Sequence, residues 1–206
     1  MRHCANILSI GFALVSTLFS AQAFIELKTY EVDPTHTFPT FEADHMGLTM
    51  WRGKINSTKG IITLDREAQI GSVDITMDMD SIDFGLDDMN KHAKSDDMLD
   101  VEKYPEARYV GELIFSEDMP VKVDGNLTLH GITKSVTLEI KSFKCILHPT
   151  KYVDSCGAEA TASINREDFG IDYAKNYGFK MDVALRIGIE ASEIQAKKKV
   201  LRVFYD

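Results

Sequence analysis

The chain has 206 residues, with 32 Asp and Glu against 23 Lys and Arg, a formal net charge of −9. Such an acidic molecule repels phosphate backbones, which argues against nucleic acid as a partner; the charge reads as a source of solubility. With 44% hydrophobic residues, a chain of this length suits one domain with a sizeable core.

Residues 1–23 are not expected to belong to the fold. Arg2 supplies a basic start, residues 7–19 an apolar run broken only by small and polar residues, and Ala21-Gln22-Ala23 a small-x-small cleavage site. That pattern is a secretory signal peptide, too short and wrongly flanked for a membrane anchor. The mature chain would begin at Phe24. Cys4 leaves with the leader, and Cys145 and Cys156 remain, 11 positions apart. In an exported chain they read as a disulfide closing a short loop, worth about 3 kcal/mol by loop entropy. The alternative is two free buried thiols. His148 alone adds too few ligands for a metal site, and the spacing is too wide for a redox pair.

Residues 27–33 read as a short strand stopped by Pro34. The stretch 33–53 follows, and its middle alternates in period two. Pro39, Phe41, Ala43 and His45 fall on one face; Phe38, Thr40, Glu42 and Asp44 fall on the other. Aromatics on both faces predict a strand buried on two sides, or one whose inner side faces an enclosed ligand. Pro39 inside it predicts an edge or a bulge.

From Ile55 onward the chain is a series of strands. Val73, Ile75, Met77 and Met79 alternate with Asp74, Thr76, Asp78 and Asp80, one face apolar and one acidic, as in an antiparallel strand with a wet side. The acidic row lacks the loop grammar of a calcium site. Residues 87–101 break the period, and their charge and helix formers predict a short helix capped by Asp87 or Asp88. Tyr109, Gly111, Leu113 and Phe115 then share a face, as do Val121, Val123, Leu127 and Leu129. His130-Gly131-Ile132-Thr133 is a tight connection, followed by a strand carrying Val136, Leu138 and Ile140. After the cysteine loop, Ala158, Ala160, Ala162 and Ile164 alternate with polar residues. Alanines in a row leave space, which suits a cavity or a close backbone crossing. Val183, Leu185, Ile187 and Ile189 form the last clear strand, and residues 192–206 make a tail of undecided structure. Antiparallel strands at this spacing close into a barrel or split into a sandwich. A closed ring of about eight leaves an interior that side chains fill or that holds one ligand.

No nucleophile elbow, HExxH, P-loop or GxGxxG occurs, so the chain carries no positive sign of an enzyme. His36 and His45 lie an odd number of positions apart, on opposite faces of a regular strand, which weakens a shared metal site. No metal or cofactor is expected.

A set of short motifs, taken together and in order, carries a resemblance. They include Asp33-Pro34-Thr35-His36-Thr37, Phe41, His45-Met46-Gly47-Leu48-Thr49, Gly53, Gly60 and Ser81-Ile82-Asp83. Further on come Asp100-Val101-Glu102-Lys103-Tyr104-Pro105, Gly125-Asn126-Leu127-Thr128-Leu129-His130-Gly131-Ile132-Thr133-Lys134 and Asn165-Arg166-Glu167-Asp168-Phe169-Gly170-Ile171. From about Tyr30 to Ala191 the chain resembles the YceI-like family of exported polyisoprenoid-binding proteins, a lipocalin-like group. It departs from the family pattern at Ala93, where Leu is usual, at Lys94 for Arg, and at Ser135 for Pro.

The resemblance implies an all-β fold: an eight-stranded antiparallel lipocalin-like barrel over residues 24–191 with one short inserted helix. It implies an apolar pore that takes a polyisoprenoid or isoprenoid-quinone chain, a periplasmic location and no catalysis. Transient membrane contact and a homodimer are compatible with it. Face and residue type single out Phe41, Trp51, Met77, Phe115, Tyr173 and Phe179 as lining candidates, with His36 and His45 as polar contacts. Phe41 and His45 share a face that is expected to look into the pore. Two other readings compete. One is an interaction module with a filled barrel that docks a membrane or redox partner. The other is an enzyme using the histidines with a metal.

Overall fold

The computed structural model describes residues 26–195; the expected leader and the end of the tail lie outside them. The strands are β1 (Lys28–Val32), β2 (Phe38–His45), β3 (Thr49–Ile55), β4 (Thr58–Asp65), β5 (Ile70–Asp78) and β6 (Ile82–Asp83). After helix α1 (Asp87–Lys94) come β7 (Glu106–Ser116), β8 (Met119–Leu129), β9 (Ile132–Leu147), β10 (Asp154–Asn165) and β11 (Asp182–Glu193). Eight of them close a ring in the order β1-β4-β5-β7-β8-β9-β10-β11, with β11 returning to β1. The expected eight-stranded antiparallel barrel therefore forms. The β2–β3 hairpin and β6 continue the sheet beyond the ring.

One position in the ring is shared. β11 pairs with β1 through Ala191, Ser192 and Glu193, and with β2 through residues 183–188. β1 and β2 are thus two halves of one stave, separated by the turn at 33–37. Fully buried Thr37 anchors that turn: its Oγ1 accepts from the Glu190 N–H at 3.1 Å and donates to the Glu190 carbonyl at 3.3 Å. β3 joins β2 only from Thr40 onward, so Pro39 sits where one edge is unpaired, as its chemistry requires. Because β11 runs through Glu193, the first two residues assigned to the tail belong to the barrel.

The inserted helix is shorter than its sequence suggested. α1 ends at Lys94, where the Ser95 Oγ and N–H both donate to the His92 carbonyl, at 2.7 and 3.1 Å. Its N-cap is Leu86, without a side-chain bond, while Asp87 and Asp88 occupy the first turn. There they face the positive end of the helix dipole rather than capping it. Between β8 and β9, His130 and Gly131 both take positive φ (51° and 74°), the two-residue turn whose twist matches an antiparallel hairpin.

Inward-facing Val73, Ile75, Tyr109, Val123, Leu127, Val136 and Ile164 form the main core. Tyr109 reaches from β7 across β8 toward β9. Its hydroxyl donates to the carbonyls of Val123 (3.0 Å) and Val136 (2.7 Å). A Cβ at Gly125 would fall 2.6 Å from its ring, so that position must be glycine. At one end of the barrel Tyr30, Leu64 and Ala191 pack with Phe115, Phe143 and the cystine Cys145–Cys156. These cysteines are direct partners on β9 and β10, with Cα atoms 4.0 Å apart. The other end carries α1, the β2–β3 tip and the loop 166–181.

Candidate functional site: an apolar pore

Strand alternation turns the inner face of every stave toward one cavity of about 560 Å³, within the size range of small-ligand sites. Its shaft is hydrocarbon: Ile62, Val73, Ile75, Leu113, Val123 and Leu138 among others. Ala158 and Ala160 on β10 line it too, and their short side chains are the reason the shaft stays open on that side. Phe143 lies toward the end that the cystine cluster plugs. At the opposite end Trp51, Phe84, Met89, Tyr173, Tyr177 and Phe179 form a collar, which is the mouth.

Five of the eight candidates, Phe41, Trp51, Met77, Tyr173 and Phe179, lie on the cavity wall. Phe41 points inward from β2 and meets Phe84 edge-on with centroids 5.2 Å apart. Its ring occupies the space across β3 where a Cβ on Gly53 would come within 2.4 Å, so Gly53 makes room for Phe41. The remaining three lie elsewhere. Phe115, although on the inner face of β7, is part of the plug at the closed end. His36 is exposed at the tip of the 33–37 turn, beside Asp33 at 3.3 Å. His45 shares its face with Phe41 and Ala43, but pairing of β2 with β11 ends at Ala43. Beyond that rung β2 has no partner on the β11 side. The ring instead stacks on Trp51 at 4.0 Å and meets Phe179 edge-on at 5.1 Å, and His45 is not among the residues that line the cavity. The predicted inward face therefore holds for Phe41 and not for His45.

The mouth is also where polar groups gather. Asp44, His92, Arg166 and Lys180 border the cavity there. Arg166 donates from Nη1 to the Ile171 carbonyl (3.0 Å) and from Nη2 to the Tyr173 carbonyl (2.7 Å), which fixes the loop that carries Tyr173. Burial holds its guanidinium below the usual arginine range, opposed by Asp172. His92, on α1, packs edge-on against Tyr173 at 4.8 Å. Asp44 accepts from the Gly47 N–H at 2.9 Å and lies 3.9 Å from Lys180, joining the hairpin tip to the loop. Sequence reasoning missed Met89, His92, Arg166 and Tyr177, because α1 and the loop have no strand period to assign them a face. The Arg166 motif was visible, but its use as a loop clamp was not.

Among the described residues, one close grouping of metal-ligating side chains exists, Cys145, Asp154 and Cys156, and its two sulfurs are joined in the disulfide. The carboxylate of Asp154 accepts from the Tyr30 hydroxyl (2.9 Å) and from Arg66 (3.0 Å).

Comparison with known proteins agrees with this geometry. The crystal structure of Burkholderia cenocepacia BcnA superposes with a TM-score of 0.63 at 18% identity, covering 77% of this chain and 98% of that one. A polyisoprenoid binding domain from Saccharophagus degradans gives 0.61 at 17% identity, covering 82% and 100%. At these identities the likeness establishes the fold. Sequence goes further. Protein YceI of Salmonella arizonae is 31% identical over 165 residues, 79% of this chain and 85% of that protein. The model of the YceI-like domain matches residues 30–191, essentially the whole barrel, and the chain belongs to the YceI-like family.

Proposed function

We propose that the protein is an exported, non-catalytic carrier that holds a polyisoprenoid or isoprenoid-quinone chain in the barrel pore. The observation that carries this is the cavity: a shaft walled by hydrocarbon, closed at one end and collared by aromatics at the other. Each methylene moved from water into such a shaft contributes about 0.8 kcal/mol, so an extended apolar chain gains affinity along its length with little demand for polar recognition. The polyisoprenoid-binding neighbour from Saccharophagus degradans supports the ligand class. The leader-like residues 1–23 and the Cys145–Cys156 disulfide support an oxidising compartment, the periplasm. Exposed Leu48, Leu86 and Tyr177 around the mouth support transient contact with a membrane during loading.

The test is organic extraction of protein expressed with its leader, followed by mass spectrometry. A stoichiometric isoprenoid lipid is the expected result. Consistent absence of any lipid from protein exposed to native membranes would sink the reading. The competing interaction-module reading requires a filled barrel, and an interior of about 560 Å³ does not favour it.

A further inference from the structure

The pore ends at one level on stave after stave. On β4, β7 and β9 the last residues to line it are Ile62, Leu113 and Phe143. The next inward positions on those strands, Leu64, Phe115 and Cys145, belong to the cluster that closes this end. On β10 and β11 the lining stops at Ala158 and Ile189, and Cys156 and Ala191 follow in the plug. Ile62, Leu113 and Phe143 both line the cavity and pack against that cluster, so they are the floor of the shaft.

Two local features set this floor. Leu113 leans over β5, where a Cβ on Gly71 would fall 2.6 Å from its Cδ1. Phe143 is the direct partner of Ala158 on β10, so at this rung the bulk on that side of the shaft is the Phe143 ring. Above the floor, the lining on β7 runs from Leu113 back to Ala107, about 20 Å of strand and, at the usual tilt of a barrel strand, about 15 Å of depth. An extended carbon chain advances about 1.2 Å per bond, hence about 5 Å per isoprene repeat. The shaft below the collar therefore has the depth of about three repeats.

Resting on the lipid-pore reading, we propose that Phe143, with Leu113 and Ile62, is a length gauge for the bound isoprenoid. The hydrocarbon end enters first and stops against the Phe143 ring. The polar head stays at the mouth, where the charged lining residues Asp44, Arg166 and Lys180 stand. Repeats between floor and collar are buried and add affinity. A longer chain carries its surplus repeats out past the collar, where apolar surface left in water gains nothing. The pore thereby discriminates against isoprenoids shorter than about three to four repeats and does not reward longer ones.

The experiment measures binding of prenyl alcohols of increasing length to delipidated wild type, Phe143→Ala and Ala158→Leu. For wild type, affinity should climb about tenfold or more with each added repeat and level off at about three to four repeats. Phe143→Ala vacates roughly the room of one repeat, so its affinity should keep climbing for about one repeat more, with shorter chains bound as by wild type. Ala158→Leu, which adds bulk on the same rung, should level off sooner. Phe143→Leu makes the first comparison, with a smaller shift, if the alanine variant does not fold. An unmoved break point, a uniform loss at every length, or affinity that never levels off overturns the role of Phe143 while leaving the pore reading intact. Failure of wild type to bind any member of the series overturns both.

Discussion

At the closed end of the barrel Tyr30 is 1% exposed and packs with Leu64, Ala191, Phe115 and a cystine. At the mouth Trp51, Tyr173 and Tyr177 are 36%, 43% and 78% exposed, and the loop that carries two of them is held by Arg166. Both ends are rich in aromatics. The closed end uses them to fill space, with the phenol of Tyr30 bonded to Asp154. The mouth stands them around an opening that has nothing behind it but hydrocarbon wall. Aromatic content therefore does not tell a plug from a collar; what differs is whether neighbouring staves converge on the ring or leave it beside the shaft. The closed end should govern stability and the mouth should govern ligand exchange.

The strongest way to break this division is to remove the cystine. Cys145→Ser with Cys156→Ser should lower unfolding free energy by about 3 kcal/mol, read from denaturant midpoints at constant slope, while lipid content per folded molecule stays as in wild type. Loss of lipid in step with stability would show that the two ends are not separable.

The shaft between them can be blocked. Ala160→Phe places a ring where β10 leaves room and should abolish copurifying lipid. Because the added ring fills existing space, stability should change by no more than about 1–3 kcal/mol, checked by thermal melts beside lipid mass spectrometry. Full lipid loading in that variant would place the ligand outside the shaft.

Alkali tests the packed tyrosines. Burial, joined at Tyr30 by the hydrogen bond to Asp154, pushes this phenol well above the ordinary tyrosine value. Burial, with Asp124 nearby, does the same to Tyr109. The folded chain thus holds these protons more tightly than the unfolded chain. Their stabilisation is complete below about pH 10, the unfolded value, and is lost as pH rises above it. Stability by circular dichroism should fall above that pH, and Tyr109→Phe should lessen the fall, at a neutral-pH cost of about 0.5–1.5 kcal/mol for the lost hydroxyl hydrogen bond.

The smallest effect belongs to the rim. Tyr177→Ala should alter stability by less than about 0.5 kcal/mol, as at other exposed sites, yet change the rate of lipid transfer to vesicles. An unchanged rate would remove Tyr177 from the exchange pathway.

Much of this was legible in the residues. Val73, Ile75 and Met77 against Asp74, Thr76 and Asp78 fix which side of β5 is wet, because successive side chains on a strand must point opposite ways. The motif set named the family, and with it the barrel and its pore. The paired cysteines foretold the tie between β9 and β10. Height along the barrel was not legible. Met77 and Phe115 give the same signal, an apolar residue on an inner face, yet one lines the cavity and the other belongs to the plug. The register between staves decides this, and register comes from pairings far apart in the chain. His45 fails for a related reason: alternation continues past Ala43, but the partner strand does not.

By itself, then, the sequence determined the strand period, the inward sides, the tight turns and the family, all consequences of local stereochemistry and of motifs along the chain. Only the tertiary structure decided where the ring closes, which end is plugged, and at which rung the pore lining stops. Those features exist only once β11 returns to β1 and the staves enclose a volume that no segment of the chain can define alone.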